Sequence, residues 1–486
     1  MRAVSNWLDV WSRFSPNREA VYDLGTGRRW TYAQLRDEAN AWAALLRERD
    51  VCRGDRVAVL AENRGETLAL LFAVADIGAV LFPMNWRLAD AELNWQCGHA
   101  SPKVVFCDDR HAGRLEGAEP LTTPAPAAAV KPVSLHMSDP WVLMYTSGSS
   151  GRPKGAMLTH QQLHWNAVNT TLACNLTADD ATLTFAPLFH TGGLNCLTTP
   201  LLHRGGRVVL TPRLDVAESL ATIAREGITL LMGVPTIYQM MADHEDFETT
   251  DLTRVRDALC GGAALPNALL ERYAARNIPL RQGFGLTEVG PNCFSLPPTH
   301  IRSKAGTVGL PIHHVAAKLV RDDGSECDVG EPGELWLKGP VVCGGYWNDP
   351  EATAKSITNG WFHTGDVLTR DADGFFTVSG RKKEMFISGG ENVYPAEVEA
   401  VIADCPGVAL AAVVGIPDVR WGEVGVAYIE GRPGAELGTD AIRGFLAGRL
   451  AKFKQPKRIE VVAMLPRTGS GKIDKPALIR RAVGAS

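Results

Sequence analysis

The chain is 486 residues long, past the size at which a single hydrophobic core stops growing, so two or three packed units are expected. Apolar residues make up 45% and charged residues 21%, which excludes dominant disorder, and a net charge of -4 offers no basic footprint for nucleic acid. The ten cysteines contain no CxxC pair, so neither a zinc knuckle nor a disulfide frame is signalled, and reduced thiols in a cytoplasm fit best.

The opening stretch MRAVSNWLDVWSRF has no uninterrupted apolar core and no small-residue cleavage site, so export is not expected. Arg56 to Leu60 reads as a β-branched strand and Thr67 to Asp76 as the helix after it. The longest apolar run, Leu68 to Met84, is broken by Asp76, Gly78 and Pro83. It predicts a buried helix leading into a buried strand rather than a membrane span, so no integral membrane association is expected. Strands at Lys103 to Cys107, Arg207 to Leu210 and Thr229 to Met232, with a helix at Val216 to Glu226, continue the rhythm of βαβ units and predict a mostly parallel sheet. Leu121 to Pro132, LTTPAPAAAVKP, has no periodicity and reads as a surface loop. From about Gly309 the turns DDG, EPGE and DADG separate short strands, the chemistry of antiparallel hairpins. A third texture begins after Arg381, where Pro395 to Ala403 predicts a short helix opened by proline, with Val398, Val401 and Ile402 at helical spacing.

The loop within Met144 to Leu158, MYTSGSSGRPKGAML, concentrates glycines, hydroxyls and one lysine. Backbone amides reach an anion closely where side chains are absent, so a phosphate cradle and a solvated linker are the two readings of its composition. It is not a Walker loop, because Gly155 stands after Lys154 where a hydroxyl is required, and Gly469 to Ile473 fails the same test.

Together with five later segments, this loop makes the chain resemble the adenylate-forming superfamily. The six are YTSGSSGRPKGAM (145–157), PLFHTGG (187–193), GFGLTE (283–288), WFHTGD (361–366), GRKKEMFISGGENVYPAEVE (380–399) and PRTGSGKIDK (466–475), in the superfamily's order. The resemblance implies an α/β fold: a large N-terminal body of several subdomains with parallel-rich sheets over residues 1–381, and a small mobile α+β domain over 382–486. It also implies two half-reactions, attack of a carboxylate on the α-phosphate of ATP and displacement of AMP by a thiol. Two anions must meet in the first, so charge neutralisation and in-line geometry are the site's tasks.

The resemblance also implies a role for each motif residue. Thr146, Ser147, Gly148, Ser149, Gly151 and Lys154 hold the β- and γ-phosphates, Thr287 bonds the α-phosphate, and Glu288 ligates Mg²⁺. Phe284, standing where tyrosine is common, stacks on adenine opposite Gly261, Gly262 and Ala263, with Gln282 at the amino edge and Gly285 beside it. Asp366 accepts from the ribose hydroxyls with Arg381 as its partner. Lys472 bridges the substrate carboxylate and the α-phosphate, a cation acting on charge that builds in transit. Lys383 is the hinge, and Gly389 and Gly390 leave room for the pantetheine arm of coenzyme A. His190 lies at the acyl entrance, and Val234, Pro235, Thr236, Tyr238 and Leu286 wall the acid pocket.

The segments SGGENVYPAEVE and FHTGGLN, and a length with no carrier domain, resemble the acyl-CoA synthetase branch more than peptide-synthetase domains. ATP, Mg²⁺, coenzyme A and a small carboxylic acid are the implied cofactors and partners. A fatty or other aliphatic acid is expected, with an aryl acid, transfer to a carrier-bound pantetheine or amine, and a non-catalytic relative as alternatives. No arginine falls in the pocket segments, which disfavours a dicarboxylate. The sequence is compatible with a homodimer and says nothing further of oligomeric state.

Overall fold

The computed structural model describes residues 6–146, 153–388, 391–468 and 472–484. The long apolar run folds as its breaks predict. Helix Gly65–Ile77 is buried on every side and stops where Gly78 takes a left-handed φ of 74° and returns its N–H to the Val74 carbonyl. Strand Val80–Pro83 comes next, equally buried. Asp76 sits in this apolar helix because Arg36 lies 2.5 Å away and Asn6 donates to its other oxygen at 3.0 Å. Arg36 comes from helix Tyr32–Glu48, opened by a capping box between Thr31 and Gln34.

The βαβ rhythm gives two sheets. In the six-stranded one, the order is Glu119–Pro120, Val104–Cys107, Arg56–Leu60, Val80–Pro83, Pro140–Thr146, Lys154–Thr159, parallel except for the last pair. In the nine-stranded one, Glu19–Asp23, Arg207–Leu210, Ala181–Thr184, Leu230–Gly233, Asp257–Cys260 and Leu280–Leu286 run parallel. Antiparallel strands close both of its edges. The largest core cluster takes Val57 and Val142 from one sheet and Val208 and Leu230 from the other, with Trp7, Trp42 and Phe72 of the helices between. Residues 121–132 carry neither helix nor strand, as their composition predicts.

The hairpin-rich segment forms a third sheet, antiparallel throughout, from Ala316–Val320, Gly333–Lys338, Trp361–Arg370, Ile357–Thr358 and Phe376–Arg381. It ends at Arg381. After a turn, a fourth sheet begins at Phe386–Ser388 and includes Val408–Asp418, Gly422–Gly431 and Arg458–Val462. Helix Pro395–Ala403 packs on it through buried Val398 and Ile402, the spacing read from sequence. Helix Lys475–Gly484 covers a second small cluster through Leu478 and Ala482.

Candidate active site

The antiparallel pair at the edge of the six-stranded sheet sets Thr146 opposite Lys154. The residues between them expected to bind phosphate, Ser147, Gly148, Ser149 and Gly151, lie outside the described residues, as do Gly389 and Gly390. Strand Leu280–Leu286 delivers the turn Thr287–Val289 to the same place. There the buried Glu288 carboxylate accepts at Oε1 from the Tyr346 hydroxyl (3.0 Å) and the Thr146 hydroxyl (3.3 Å). Burial and Glu288 together push the Tyr346 phenol pKa up, so it stays a proton donor.

The backbone around Glu288 is fixed from two sides. Cys343 N–H donates to the Glu288 carbonyl at 2.7 Å, and Gln162 Nε2 to the Thr287 carbonyl at 2.9 Å. Residues 344–347 run along strand Lys154–Thr159, with Trp347 N–H donating to the Gly155 carbonyl at 2.7 Å. The Lys154 ammonium lies 5.0 Å from the centre of the Tyr346 ring. Tyr346 is therefore a site residue that motif reading missed; its one sequence signal is the aromatic pair in GGYW.

On the third sheet, Asp366 and Arg381 face each other across paired strands, with Nε 2.8 Å from Oδ1. Asp366 is 4% exposed, and burial pushes its pKa up to about 6 against the opposing pull of Arg381 and Lys472. Lys472 reaches this place from the far end of the chain. Its side chain is exposed to solvent, yet the protein on its near side and Arg381 lower its pKa, while Glu288 and Asp366 oppose that. His190 feels Lys472 as well: burial first, then Lys472 and Arg87, push its pKa down to about 4, so the imidazole is neutral at neutral pH. Asn63 holds the His190 segment in place, donating to the Ala186 carbonyl and accepting from Leu188 N–H at 2.9 Å. A Cβ at Gly193 would collide with the Pro187 carbonyl, which is why this turn needs a glycine.

Phe284, half-buried, meets Phe294 edge-on at 5.8 Å. A Cβ at Gly261 would have only the Gly283 carbonyl near it, at 3.7 Å, so the Gly261 backbone presents a bare surface. Gly285 has a structural reason to be glycine, since a Cβ there would overlap Pro291. Val234 is exposed, and Thr236 and Leu286 are half-buried.

Two expectations fail. Gln282, expected at the adenine edge, has its amide used up on backbone: Oε1 accepts from Leu265 N–H at 2.7 Å and Nε2 donates to the Ala263 carbonyl at 3.0 Å. It braces the 261–265 loop instead. Tyr238, expected in the acid pocket, is fully buried, donates to the Leu259 carbonyl at 2.8 Å and packs edge-on against Tyr273. It belongs to the core under the nine-stranded sheet. Pro235 is buried as well, at the first turn of helix Pro235–Asp243, where its missing N–H costs nothing.

Lys383 is exposed in the turn between the third and fourth sheets. Its neighbours are tied in opposite directions. Lys382 lies 2.6 Å from Asp322 and 3.4 Å from Glu334. Glu384 lies 2.6 Å from Lys475.

The Thr146–Lys154 pair, the Glu288 carboxylate held by hydroxyls, the buried Asp366–Arg381 pair and Lys472 of the C-terminal segment are thus gathered in one place. The chain belongs to the AMP-binding enzyme family: residues 8–347 match the profile of that name, and residues 397–472 match that of the AMP-binding enzyme C-terminal domain. It is 42% identical to a feruloyl-CoA synthase of Amycolatopsis sp, over 99% of both chains. It is 37% identical to an indoleacetate–CoA ligase of Aromatoleum aromaticum, over 97% of this chain and 96% of that one. Among solved structures it superposes on o-succinylbenzoate CoA synthetase (MenE) of Bacillus subtilis in complex with the acyl-adenylate intermediate OSB-AMP. The TM-score is 0.89, at 31% identity and 98% coverage of both chains.

The protein is thus an AMP-forming acid–thiol ligase. It activates a carboxylic acid with ATP to an acyl-adenylate, releasing pyrophosphate, and then passes the acyl group to coenzyme A, releasing AMP. ATP, Mg²⁺ and coenzyme A are its cofactors and co-substrates. Glu288 suits Mg²⁺, because that ion keeps several waters and is bound by one or two carboxylates plus substrate phosphates. Among the described residues no cluster of three or more ligating side chains offers a cage, and no helix is long and apolar enough to cross a membrane.

Proposed function

We propose that the acid is aromatic, of the arylpropenoate or arylacetate class, and that the described arrangement of the two domains is the one that makes the adenylate. Full-length similarity to the feruloyl- and indoleacetate-activating relatives supports the first part. The observation that carries the second is the presence of Lys472 within electrostatic range of Glu288, Asp366 and His190. In this reading the domains meet at 381/382, and Thr146 and Lys154 take the β- and γ-phosphates. Thr287 bonds the α-phosphate, and Glu288 holds Mg²⁺, which when bound neutralises charge shared between the phosphates. Phe284 and the backbone of Gly261, Gly262 and Ala263 flank the adenine. Asp366 and Arg381 take the ribose, and Val234, Thr236 and Leu286 contribute to the acid pocket.

Lys472 sits between the incoming carboxylate and the α-phosphate, where both anions need the same cation. The carboxylate oxygen forms a bond to phosphorus as the bond to pyrophosphate breaks. His190, neutral, packs at the acyl entrance without taking a proton. Rotation about Lys383 then withdraws Lys472 and brings Gly389 and Gly390 to the tunnel, where the thiolate attacks the acyl carbonyl and AMP leaves.

The test is a panel of hydroxycinnamic, arylacetic, benzoic, fatty and short organic acids, assayed for AMP release with and without free coenzyme A. The highest kcat/KM is expected with an aryl acid, and only with coenzyme A present. A preference for aliphatic chains would overturn the choice of acid, and turnover without coenzyme A would overturn the acceptor.

A further inference from the structure

The hairpin carrying Lys472 is closed by Arg467 bridged to Ile473, by Thr468 N–H donating to the Lys472 carbonyl (2.7 Å) and by Asp474 N–H donating to the Pro466 carbonyl (2.8 Å). Lys475 is the first residue of helix Lys475–Gly484. Its ammonium turns back to lie 2.6 Å from Glu384 and 2.9 Å from Glu399. Glu384 directly succeeds Lys383, and Glu399 lies on helix Pro395–Ala403, where its Oε1 also accepts from Val413 N–H at 2.7 Å. One cation therefore ties together the lysine hairpin, the turn between the sheets and the helix packed on the fourth sheet. Its side chain is 19% exposed, so salt screens these pairs less than surface ones.

We propose that Lys475 is the positioning residue for the adenylation lysine: it locks the Lys472 hairpin to the segment just past the pivot, so that hairpin and pivot move as one body. The inference rests on the reading of Lys472 as the adenylation lysine. A lysine that bridges two anions in transit must be placed to within a fraction of an ångström, and the Lys475 ion pairs supply a direct tie from the hairpin's end to the segment after Lys383.

The experiment measures two half-reactions of the full-length chain with its best acid: acid-dependent pyrophosphate release, and thioester formation from pre-made acyl-adenylate and coenzyme A. In Lys475→Met, kcat for pyrophosphate release is expected to fall about 10²-fold while KM for ATP and thioester formation stay unchanged. Lys475→Arg, which can still bridge both carboxylates, is expected to recover most of that rate. Equal losses in both half-reactions, no loss in either, or failure of the arginine to rescue would each overturn the proposal. Should Lys475→Met not fold, Lys475→Gln keeps the donors, loses the charge and must show the same split. Lys472→Ala is assayed alongside. If it spares pyrophosphate release, the underlying reading falls; if it abolishes release while Lys475→Met leaves it intact, only the role of Lys475 falls.

Discussion

Asp366 makes the clearest residue-level prediction. Its pKa is raised by burial from the ordinary 3.8 to about 6, so between those values the folded protein holds a proton the unfolded chain has already released. The carboxyl therefore costs stability as it ionises, and that cost is complete above about pH 6. Ribose hydroxyls donate best to the ionised form, so adenosine, which has no titrating group in this range, is expected to bind more tightly as pH rises through about 6. Calorimetric titration of adenosine across that range should show the inflection in the native chain and not in Asp366→Asn. Tyr346 makes a second prediction. Removing its hydroxyl in Tyr346→Phe leaves Glu288 with one donor fewer, a change of about 1.5–3 kcal/mol for a hydrogen bond to a charged acceptor. Pyrophosphate release is expected to slow about tenfold or more and to need more Mg²⁺ for half-saturation, as a metal titration of the rate would reveal.

At the scale of elements, helix Gly65–Ile77 shows what the sequence could and could not disclose. Its existence, its end at Gly78 and the buried strand after it were legible because local chemistry decides them: an apolar run, a residue free to take positive φ, a proline. The partner that lets Asp76 stay inside was not, because Arg36 lies forty positions upstream. Arg36→Met strands that carboxylate and is expected to destabilise the N-terminal body by about 3–5 kcal/mol, which urea unfolding monitored by tryptophan fluorescence would measure. The site divides in the same way. Glu288, Asp366, Arg381 and Lys472, which the structure gathers within electrostatic range of one another, were grouped from sequence because the motifs surround them. Tyr346 was not, since only the pairing of residues 344–347 with strand Lys154–Thr159 brings it to Glu288. Gln282 and Tyr238 were misread for a related reason: strand and helix spacing gives a face, but not whether backbone carbonyls already wait on that face for a donor.

At the scale of the whole molecule, Lys472 of the C-terminal segment serves, in the proposed reading, a site built by the other domain, so one arrangement of the two carries adenylation and a second carries thioester formation. Lys383→Pro, which stiffens the exposed turn, is expected to leave pyrophosphate release nearly intact and to slow thioester formation by about 10² or more. Single-turnover assays of each half-reaction would show the split, and equal slowing of both would count against a pivot at this residue.

The ion pairs on either side of Lys383 also matter to anyone recombining this chain with a relative. Lys382 is bound to Asp322 and Glu334, and Glu384 to Lys475, so the charge network divides at a single peptide position. A chimera joined at 383 inherits each network whole from one parent. A join at 381 splits Lys382 from its carboxylates and asks two lineages to have chosen matching charges.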